Sequence, residues 1–209
     1  MDGIEIFDVP ETNGVPLVAD MSSVILSEPI DVSRFGMIYA GAQKNIGPAG
    51  ITLLIVRDDL LGKARFDTPG VFNYQQQWQN DSMLNTPPTF AWYLAALVFE
   101  WLLEQGGLAS MGQQNRAKAT ALYSAIDSSS LFINNVDQAN RSIMNVPFTL
   151  ADEALNSLFL QQAEAHCLLN LKGHRSVGGM RASIYNAVPM ASVEALIHFM
   201  QDFEHQHWN

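Results

Sequence analysis

One lysine, Lys44, stands between two apolar runs, MIYAGA and ITLLIV, whose composition is typical of β-strands. The positions around it carry small residues: Gly41, Ala42, Gly47, Ala49 and Gly50. Small residues leave room for a bulky group to approach the backbone. A lysine that is partly desolvated at a strand end can act as a nucleophile towards carbonyl compounds. The alternative is a glycine-rich turn with a solvated lysine, and the residue types leave both interpretations open.

An aspartate, Asp20, ends the apolar part of the run 16–23, PLVADMSS, in which we predict a strand. Ligands of open α/β sheets collect at the carboxyl ends of the strands, so a carboxylate at this point is well placed for a site. An aspartate after a strand more commonly caps a helix or stabilises a turn. A chemical role and a turn role therefore both stay open.

The sequence Asn85-Thr86-Pro87-Pro88 is typical of a helix start. We predict that Thr86 caps the helix and that a proline occupies the first turn, where its missing N–H needs no partner. Free N–H groups at such a helix end also bind anions, and ordinary capping is the alternative. The helix itself is predicted from the apolar run 90–103, which is shorter than the roughly 20 residues that span a bilayer. We expect this helix in a core or a subunit interface.

Three basic side chains near the C-terminus stand out because the chain has 11 lysines and arginines in all: His174, Arg175 and Arg181. Arg181 lies in the strand-like run MRASIYN, where an exposed arginine is the usual case. A guanidinium is also well suited to bind a carboxylate through two parallel hydrogen bonds. The single cysteine, Cys167, cannot form an intrachain disulfide and is predicted to be a buried thiol on a helix packing face.

The composition is that of an acidic protein, with a formal net charge of −10 in 209 residues. Nucleic acids and anionic membranes bind basic surfaces, so we expect neither as a partner. The acidic N-terminus shows no secretory signal, which predicts a cytoplasmic location. No zinc, calcium or P-loop signature is present in the sequence, and no metal is expected.

The predicted elements divide the chain at Gly106-Gly107, which ends the apolar helix. Upstream, the strand at 51–56 is so apolar that we expect both of its faces to be covered, and a loop with packed aromatic side chains is expected at 67–86. Downstream we predict a helix at 110–126, a strand within 142–150, a helix at 152–171, a strand within 179–187 and an amphipathic C-terminal helix. This order predicts a small α/β sandwich with a mostly antiparallel sheet.

Three segments resemble the phosphoserine aminotransferases, a family of pyridoxal 5′-phosphate (PLP) enzymes with the aspartate-aminotransferase fold. They are SEPIDVSRFG with YAGAQKNIGPAG, NTPPTFAWYLAALVFEWL, and GHRSVGGMRASIYNA. The resemblance implies an α/β fold with two parts. Residues 1–106 would be the C-terminal part of the large cofactor domain, with a mainly parallel sheet, and residues 107–209 the small C-terminal domain. The family's chains are much longer, so the sequence is expected to correspond to their C-terminal portion.

The resemblance also implies roles for the residues that would bind PLP. Lys44 corresponds to the lysine that holds the cofactor as a Schiff base and moves the proton. Asp20 corresponds to the carboxylate that keeps the pyridine nitrogen protonated. Gln43, Asn85 and Thr86 correspond to cofactor-binding residues, the last two reaching the phosphate across a homodimer interface.

The implied reaction transfers an amino group from glutamate to 3-phosphohydroxypyruvate and gives O-phosphoserine and 2-oxoglutarate. It belongs to serine biosynthesis, and the family also acts in pyridoxine biosynthesis. Arg181 corresponds to the residue that binds the substrate's α-carboxylate. His174 and Arg175 are weaker candidates for its phosphate.

Two other interpretations stay open. The chain is expected to lack transaminase activity by itself, as a non-catalytic fragment or relative, because no segment before Asp20 replaces the family's upstream phosphate cradle. Such a fragment would self-associate or recruit a complementary chain that supplies the N-terminal portion. A different PLP enzyme of the same fold, such as a desulfurase, is the second alternative, and a helical Cys167 argues against it.

Overall fold

A computed structural model of the chain describes residues 2–208. The chain forms two compact units. One unit consists of Val9–Leu108, and the other joins the segment up to Asp8 with the chain from Ala109 onward. The division near residue 108 lies close to the predicted one, whereas the N-terminal segment groups with the C-terminal unit rather than with residues 9–106.

The unit 9–108 contains a mixed three-stranded sheet. Its strands β1 (Val18–Asp20), β2 (Met37–Gly41) and β3 (Thr52–Val56) lie in the order β1-β2-β3. The β1–β2 pair is parallel and the β2–β3 pair is antiparallel, so these strands do not form the mainly parallel sheet that we expected. The reason is the connection 42–51, because a parallel crossover needs a dozen or more residues.

The core of this unit lies on one face of the sheet. It is built by Ile25, Phe35, Ile38, Ala40, Ala42, Ile46 and Ala95. On β3, Thr52 and Leu54 point outward, and Leu54 is 38 % exposed. The expectation that both faces of β3 are covered is therefore wrong for the described residues. The prediction failed because an apolar sequence occurs in central strands and in edge strands alike.

Two helices, α1 (Tyr74–Gln79) and α2 (Thr89–Glu104), complete the unit. The predicted loop at 67–86 thus contains a short helix, and its aromatic side chains Phe72 and Trp78 are largely exposed rather than packed. The predicted cap at Thr86 is wrong, since α2 begins three residues later and its N-cap position, occupied by Pro88, makes no side-chain hydrogen bond.

A groove of about 800 Å³ lies between β3, α1 and α2. Most of its lining is apolar, with Leu54, Val71, Trp78, Trp92 and Phe99 among its residues. Helix α2 buries a stripe of small residues and Leu102 and leaves several large side chains exposed, including Phe90 and Leu103. The expectation of burial in a core therefore holds for one side of this helix.

The C-terminal unit contains the longest helix and a second sheet. Helix α3 spans Gly107–Ser128, and the strands β4 (Phe132–Ile133), β5 (Asn145–Leu150) and β6 (Met180–Ser183) follow. Both pairings of this sheet, β4–β5 and β5–β6, are antiparallel, as predicted. Helices α4 (Asn156–Ala165) and α5 (Met190–His207) complete it, so the helix predicted at 152–171 is shorter than expected.

The N-terminal segment adds to the edge of this unit. Glu5 accepts through Oε2 from the amide of Ile143 at 3.2 Å, and its own amide donates to the carbonyl of Asn140 at 2.8 Å. An isolated antiparallel bridge joins Ile4 and Arg141. These contacts explain why the segment groups with the C-terminal unit.

Phenylalanine side chains fill the core between the second sheet and its helices. Phe159, which is fully buried, contacts four other rings at centroid distances of 5.1–5.9 Å: Phe132, Phe148, Phe199 and Phe203. Edge-to-face and tilted contacts of this kind add about 0.5–1.5 kcal/mol per pair to the burial itself. Phe159 therefore ties α4 to both the sheet and α5.

A buried lysine, Lys118, joins α3 to the segment after β6. Its ammonium donates to the carbonyls of Ile184, Tyr185 and Val188 at 2.9–3.2 Å. Burial lowers the pKa of Lys118 to about 8, whereas hydrogen bonds to three carbonyls favour the charged form. The three bonds use all the donors of the ammonium, so the side chain is a structural cross-link.

The prediction for Cys167 is wrong. The residue is exposed and follows the end of α4 with a φ of 62°, outside any helical packing face. Among residues 2–208, no helix is both long and apolar enough to span a membrane. Over the same residues, no group of three or more His, Cys, Asp or Glu side chains could hold a metal ion.

A carboxylate on α5 fixes the turn between α3 and β4. Glu204 accepts through Oε1 from the amides of Ser130 and Leu131 at 2.8 and 3.0 Å. Burial acts to raise the pKa of Glu204, but the hydrogen bonds from the Ser129 and Ser130 hydroxyls and from these two amides outweigh it, and the net shift is downward. The stabilisation is therefore present above the ordinary pKa and is lost as the pH falls through the lowered one.

We predict that Glu204→Gln lowers the free energy of unfolding at pH 7 by about 1 kcal/mol, because a charge-assisted acceptor is lost. The loss should shrink as the pH falls below the ordinary range of a glutamate. Urea unfolding between pH 3 and 7 measures both effects. The control is Glu194→Gln, an exposed residue of the same helix, and an equal effect of both variants would contradict the role of Glu204.

Candidate functional site

The chain turns sharply after β1. Asp20 is the last residue of β1 and lies opposite Tyr39 of β2 in the parallel register. The turn continues the ladder by one bond, because the amide of Met21 donates to the carbonyl of Tyr39 at 2.9 Å. Asp20 thus lies at the carboxyl edge of the sheet, as the sequence predicted.

Two serines of this turn connect Asp20 with Lys44. The amide of Ser22 donates to Oδ1 of Asp20 at 2.9 Å, and its hydroxyl oxygen accepts from the amide of Gly41 at 3.0 Å. The hydroxyl oxygen of Ser23 accepts from Nζ of Lys44 at 2.9 Å. The end of β1 and the segment after β2 therefore present their carboxylate and ammonium at one edge of the sheet.

The carboxyl group of Asp20 is held in its ionised form. Its pKa is lowered chiefly by a hydrogen bond with the side chain of Ser22. Burial opposes this effect, while the Ser22 amide, the charge of Lys44 and the Tyr39 hydroxyl add to it. An ionised acceptor at this position can bind a positively charged N–H group.

Two glycines near Lys44 lie close to helix α2. A methyl group at Gly47 would lie 3.6 Å from the backbone of Ala95, and one at Gly50 would lie 3.8 Å from Ala91, which is ordinary van der Waals contact in both cases. The φ of 121° at Gly50 favours glycine there, and the predicted room for a ligand stays a prediction. Lys44 itself is half-buried, so it is not a fully solvated lysine.

The segment 42–51 is rigid around the lysine. The amide of Gly47 donates to the carbonyl of Ala42 at 2.8 Å, and the buried Asn45 donates through Nδ2 to the carbonyl of Ile25 at 3.0 Å. The sequence analysis missed Asn45 as well as the two serines. The serines could have been found from the sequence, because they lie two and three residues after Asp20 in ADMSS. Nothing in the sequence points to the bond between Asn45 and the carbonyl of Ile25, which is 20 positions away.

The remaining predicted cofactor residues lie on the surface of the same unit. Gln43, Asn85 and Thr86 are exposed. Nδ2 of Asn85 donates to the carbonyl of Thr86 at 3.0 Å, and both residues precede α2. Over the described part of the chain, no hydrogen bond joins these three side chains to Asp20 or Lys44, so their roles stay predictions.

Arg181, in the other unit, has an unpaired donor. It lies on β6 opposite Pro147 and is half-buried rather than exposed. Its Nε atom is buried and has no hydrogen-bond partner. Burying an N–H of a guanidinium without an acceptor is costly. The role predicted for this residue stays a prediction.

The other two basic candidates lie in the hairpin that leads into β6. An antiparallel bridge between Lys172 and Met180 closes the hairpin, and Arg175 is exposed in its turn. His174 is half-buried and its Nδ1 atom lies 2.6 Å from the hydroxyl oxygen of Ser176. The structure therefore places both residues on the hairpin that carries Arg181 at its end.

A family model supports this picture. The model of the aminotransferase class-V family matches residues 3–196. The chain belongs to the class-V aminotransferases.

Individual class-V relatives have high identity to the chain. The phosphoserine aminotransferase of Acinetobacter baylyi is 63 % identical over 205 residues, which cover 98 % of this chain and 57 % of the relative. Among solved structures, the phosphoserine aminotransferase of Bacillus circulans subsp. alkalophilus matches with a TM-score of 0.95 and 47 % identity, over 99 % of this chain and 57 % of that one. The chain thus spans a little more than half the length of these relatives.

One solved relative is a PLP-bound enzyme. The PLP-bound phosphoserine aminotransferase of Trichomonas vaginalis matches with a TM-score of 0.90 and 43 % identity, over 95 % of this chain and 57 % of that one. The predicted α/β fold of a PLP-dependent aminotransferase is therefore confirmed, as is the resemblance to the phosphoserine aminotransferases.

We predict that Ser22→Ala raises the pKa of Asp20 towards its ordinary value, because the largest stabilising contact of the carboxylate is removed. A titration of the carboxyl carbon by NMR measures the shift. The matched control is Ser33→Ala, since the Ser33 hydroxyl donates to Asp31 at 2.6 Å in the same way. That variant should raise the pKa of Asp31 and leave Asp20 unchanged. An unchanged Asp20 in Ser22→Ala would contradict the assignment.

Proposed function

We propose that the chain carries the lysine, the pyridine-binding aspartate and the carboxylate-binding arginine of a phosphoserine aminotransferase. The reaction would transfer an amino group from glutamate to 3-phosphohydroxypyruvate and give O-phosphoserine and 2-oxoglutarate. The observation that carries the proposal is the junction of Asp20 and Lys44 through Ser22 and Ser23. The high identity to relatives named phosphoserine aminotransferases supports the choice of substrates.

The residues present fit PLP. A protonated pyridine nitrogen needs an ionised acceptor, and the pKa of Asp20 is lowered. An aldehyde needs a primary amine, and Nζ of Lys44 is half-buried and held by the Ser23 hydroxyl. A substrate carboxylate needs a guanidinium, which the half-buried Arg181 provides. Each donor or acceptor thus has the chemistry that the cofactor and the substrate require.

When bound, PLP supplies an electrophilic carbon and a ring that withdraws electrons from the substrate. Lys44 would hold the cofactor through Nζ, and the same amine would move the proton as a general base and acid. Ser23 would orient Nζ through its hydroxyl oxygen, which accepts a hydrogen bond from Nζ. Asp20 would keep its partner N–H charged because its own carboxyl group stays ionised.

Substrate binding falls to the other unit in this proposal. The guanidinium of Arg181 would bind the α-carboxylate that glutamate and the phosphorylated substrate share, and hold the Cα–H bond in one orientation. His174 and Arg175 would bind the phosphate group.

The comparisons do not favour a desulfurase. No relative named here is a desulfurase, although the predicted argument against that class, a helical Cys167, was wrong in its placement. The homodimer, the cofactor contacts of Asn85 and Thr86 and the cytoplasmic location stay predictions. Since the chain spans 57 % of the relatives' length, we expect activity in a protein of their full length and not in these 209 residues alone.

We predict that PLP, where it binds, is attached at Lys44 and not at the other three lysines, Lys63, Lys118 and Lys172. Incubation with PLP, reduction with borohydride and peptide mapping identify the labelled residue. The control is Lys44→Arg, which keeps the charge but has no primary amine and should remain unlabelled. Label that persists in this control, or that appears on Lys63 or Lys172 in the wild-type chain, would exclude Lys44 as the attachment point.

A second experiment tests the activity itself. The chain joined to the N-terminal region of a full-length relative should convert glutamate to 2-oxoglutarate with 3-phosphohydroxypyruvate as acceptor. Asp20→Asn should lower that rate by about 100-fold or more, because a neutral partner does not keep the ring charged. Asp31→Asn, an exposed carboxylate of the same unit, is the control and should keep the rate. Turnover by the 209 residues alone at the same rate would refute the requirement for full length.

A further inference from the structure

The hairpin before β6 lies in a segment of unusual charge. The chain has 21 acidic residues, yet none falls within 165–193. The same segment contains Lys172, Arg175 and Arg181. A chain with a formal net charge of −10 repels anions at long range, so a local surplus of cations is needed to bind one. Residues 172–181 supply that surplus.

The hydrogen bonds of His174 determine which of its ring nitrogens carries the proton. The amide of Ser176 lies 3.3 Å from Nδ1 of His174, and the Ser176 hydroxyl lies 2.6 Å from the same atom. A backbone amide can only donate, so Nδ1 must be the acceptor. A neutral imidazole carries one proton, and it is therefore on Nε2.

We propose that Ser176 is a positioning residue that fixes His174 in its Nε2–H tautomer, so that His174 donates a hydrogen bond to the phosphate group of a ligand at this hairpin. The use of the tautomer for phosphate rests on the proposed function. The tautomer itself follows from the geometry of the two residues alone.

The backbone of the hairpin holds the two side chains in this arrangement. The carbonyl of His174 accepts from the amides of Val177 and Gly178 at 2.9 and 2.8 Å, and the amide of Gly173 donates to the carbonyl of Gly179 at 2.9 Å. A methyl group at Gly173 would overlap the carbonyl oxygen of Gly178. These bonds fix the backbone positions from which the side chains of His174 and Ser176 meet.

This arrangement separates two tasks in anion binding. His174 donates through Nε2–H whether or not the ring carries a charge, so its contact with phosphate does not require an imidazolium ion. The charge comes from the guanidinium of Arg175, which is exposed in the turn. A phosphate group would therefore be bound by the charge of Arg175 and by a donor of fixed position on His174.

The tautomer is tested on the 209-residue chain by long-range ¹H–¹⁵N correlation of the imidazole rings at about pH 8.5, at which an ordinary histidine is neutral. His174→Gln identifies the signal among the five histidines. We expect the pattern of an almost pure Nε2–H tautomer at His174. Ser176→Ala removes the 2.6 Å hydroxyl bond and leaves only the 3.3 Å amide contact, so both nitrogen frequencies should move part of the way towards those of the exposed His198, and Ser176→Thr should restore them. A mixed or Nδ1–H pattern in the wild-type chain, or no change in Ser176→Ala, would overturn the proposal.

The use of the tautomer is tested with inorganic phosphate as the probe. Titration should shift the Nε2 signal of wild-type His174, and Ser176→Ala should weaken the apparent affinity by about three- to tenfold, the value of one hydrogen bond. Ser176→Thr should bind like the wild-type chain. If the tautomer is found but phosphate leaves the His174 signal unchanged, the role in phosphate binding is wrong. The Lys44 and Asp20 experiments test the proposed function separately, since neither residue lies in this hairpin.

Discussion

The parallel pairing of β1 with β2 is the constraint on which the cofactor side of this protein depends. Parallel strands end at the same edge of a sheet, so Asp20 and the segment that carries Lys44 meet there. A strand of three residues makes few ladder bonds by itself. The two serines of the following turn compensate with bonds to Asp20, Gly41 and Lys44. The same side chains thus stabilise the strand pairing and arrange the charged groups.

The sequence predicted the elements that are marked by regularly spaced apolar residues or by glycines at their ends. The C-terminal helix, the strands around Asp20 and Lys44 and the glycine boundary after α2 are found close to their predicted positions. The direction of β3 was not predicted, because apolar composition carries no information about strand direction and only the length of the connection 42–51 does. The cap at Thr86 failed for a similar reason, since several polar and proline residues in a row make more than one helix start possible.

The residues of the candidate site were named by family resemblance, and the structure adds what holds them. Lys44 and Asp20 were predicted, but the serine bonds between them depend on a strand register that no local pattern reveals. For Arg181 the sequence predicted an exposed guanidinium by default. The buried and unpaired Nε contradicts that default, and only coordinates show it. The glycines around Lys44 do not decide between a turn and a ligand site, because a left-handed backbone such as that of Gly50 and close approach of a ligand both favour glycine.

The cross-link through Lys118 has a consequence for the chemical reactivity of the protein. A lysine with a lowered pKa is ordinarily the most reactive towards acylating reagents, because more of it is unprotonated. Here the same burial that lowers the pKa also excludes the reagent, and three carbonyls occupy the amine. Access decides the outcome, since an amine cannot react before it meets the reagent. Acylation of Lys118 therefore reports the opening of the C-terminal unit, while the exposed Lys63 and Lys172 react in the folded chain.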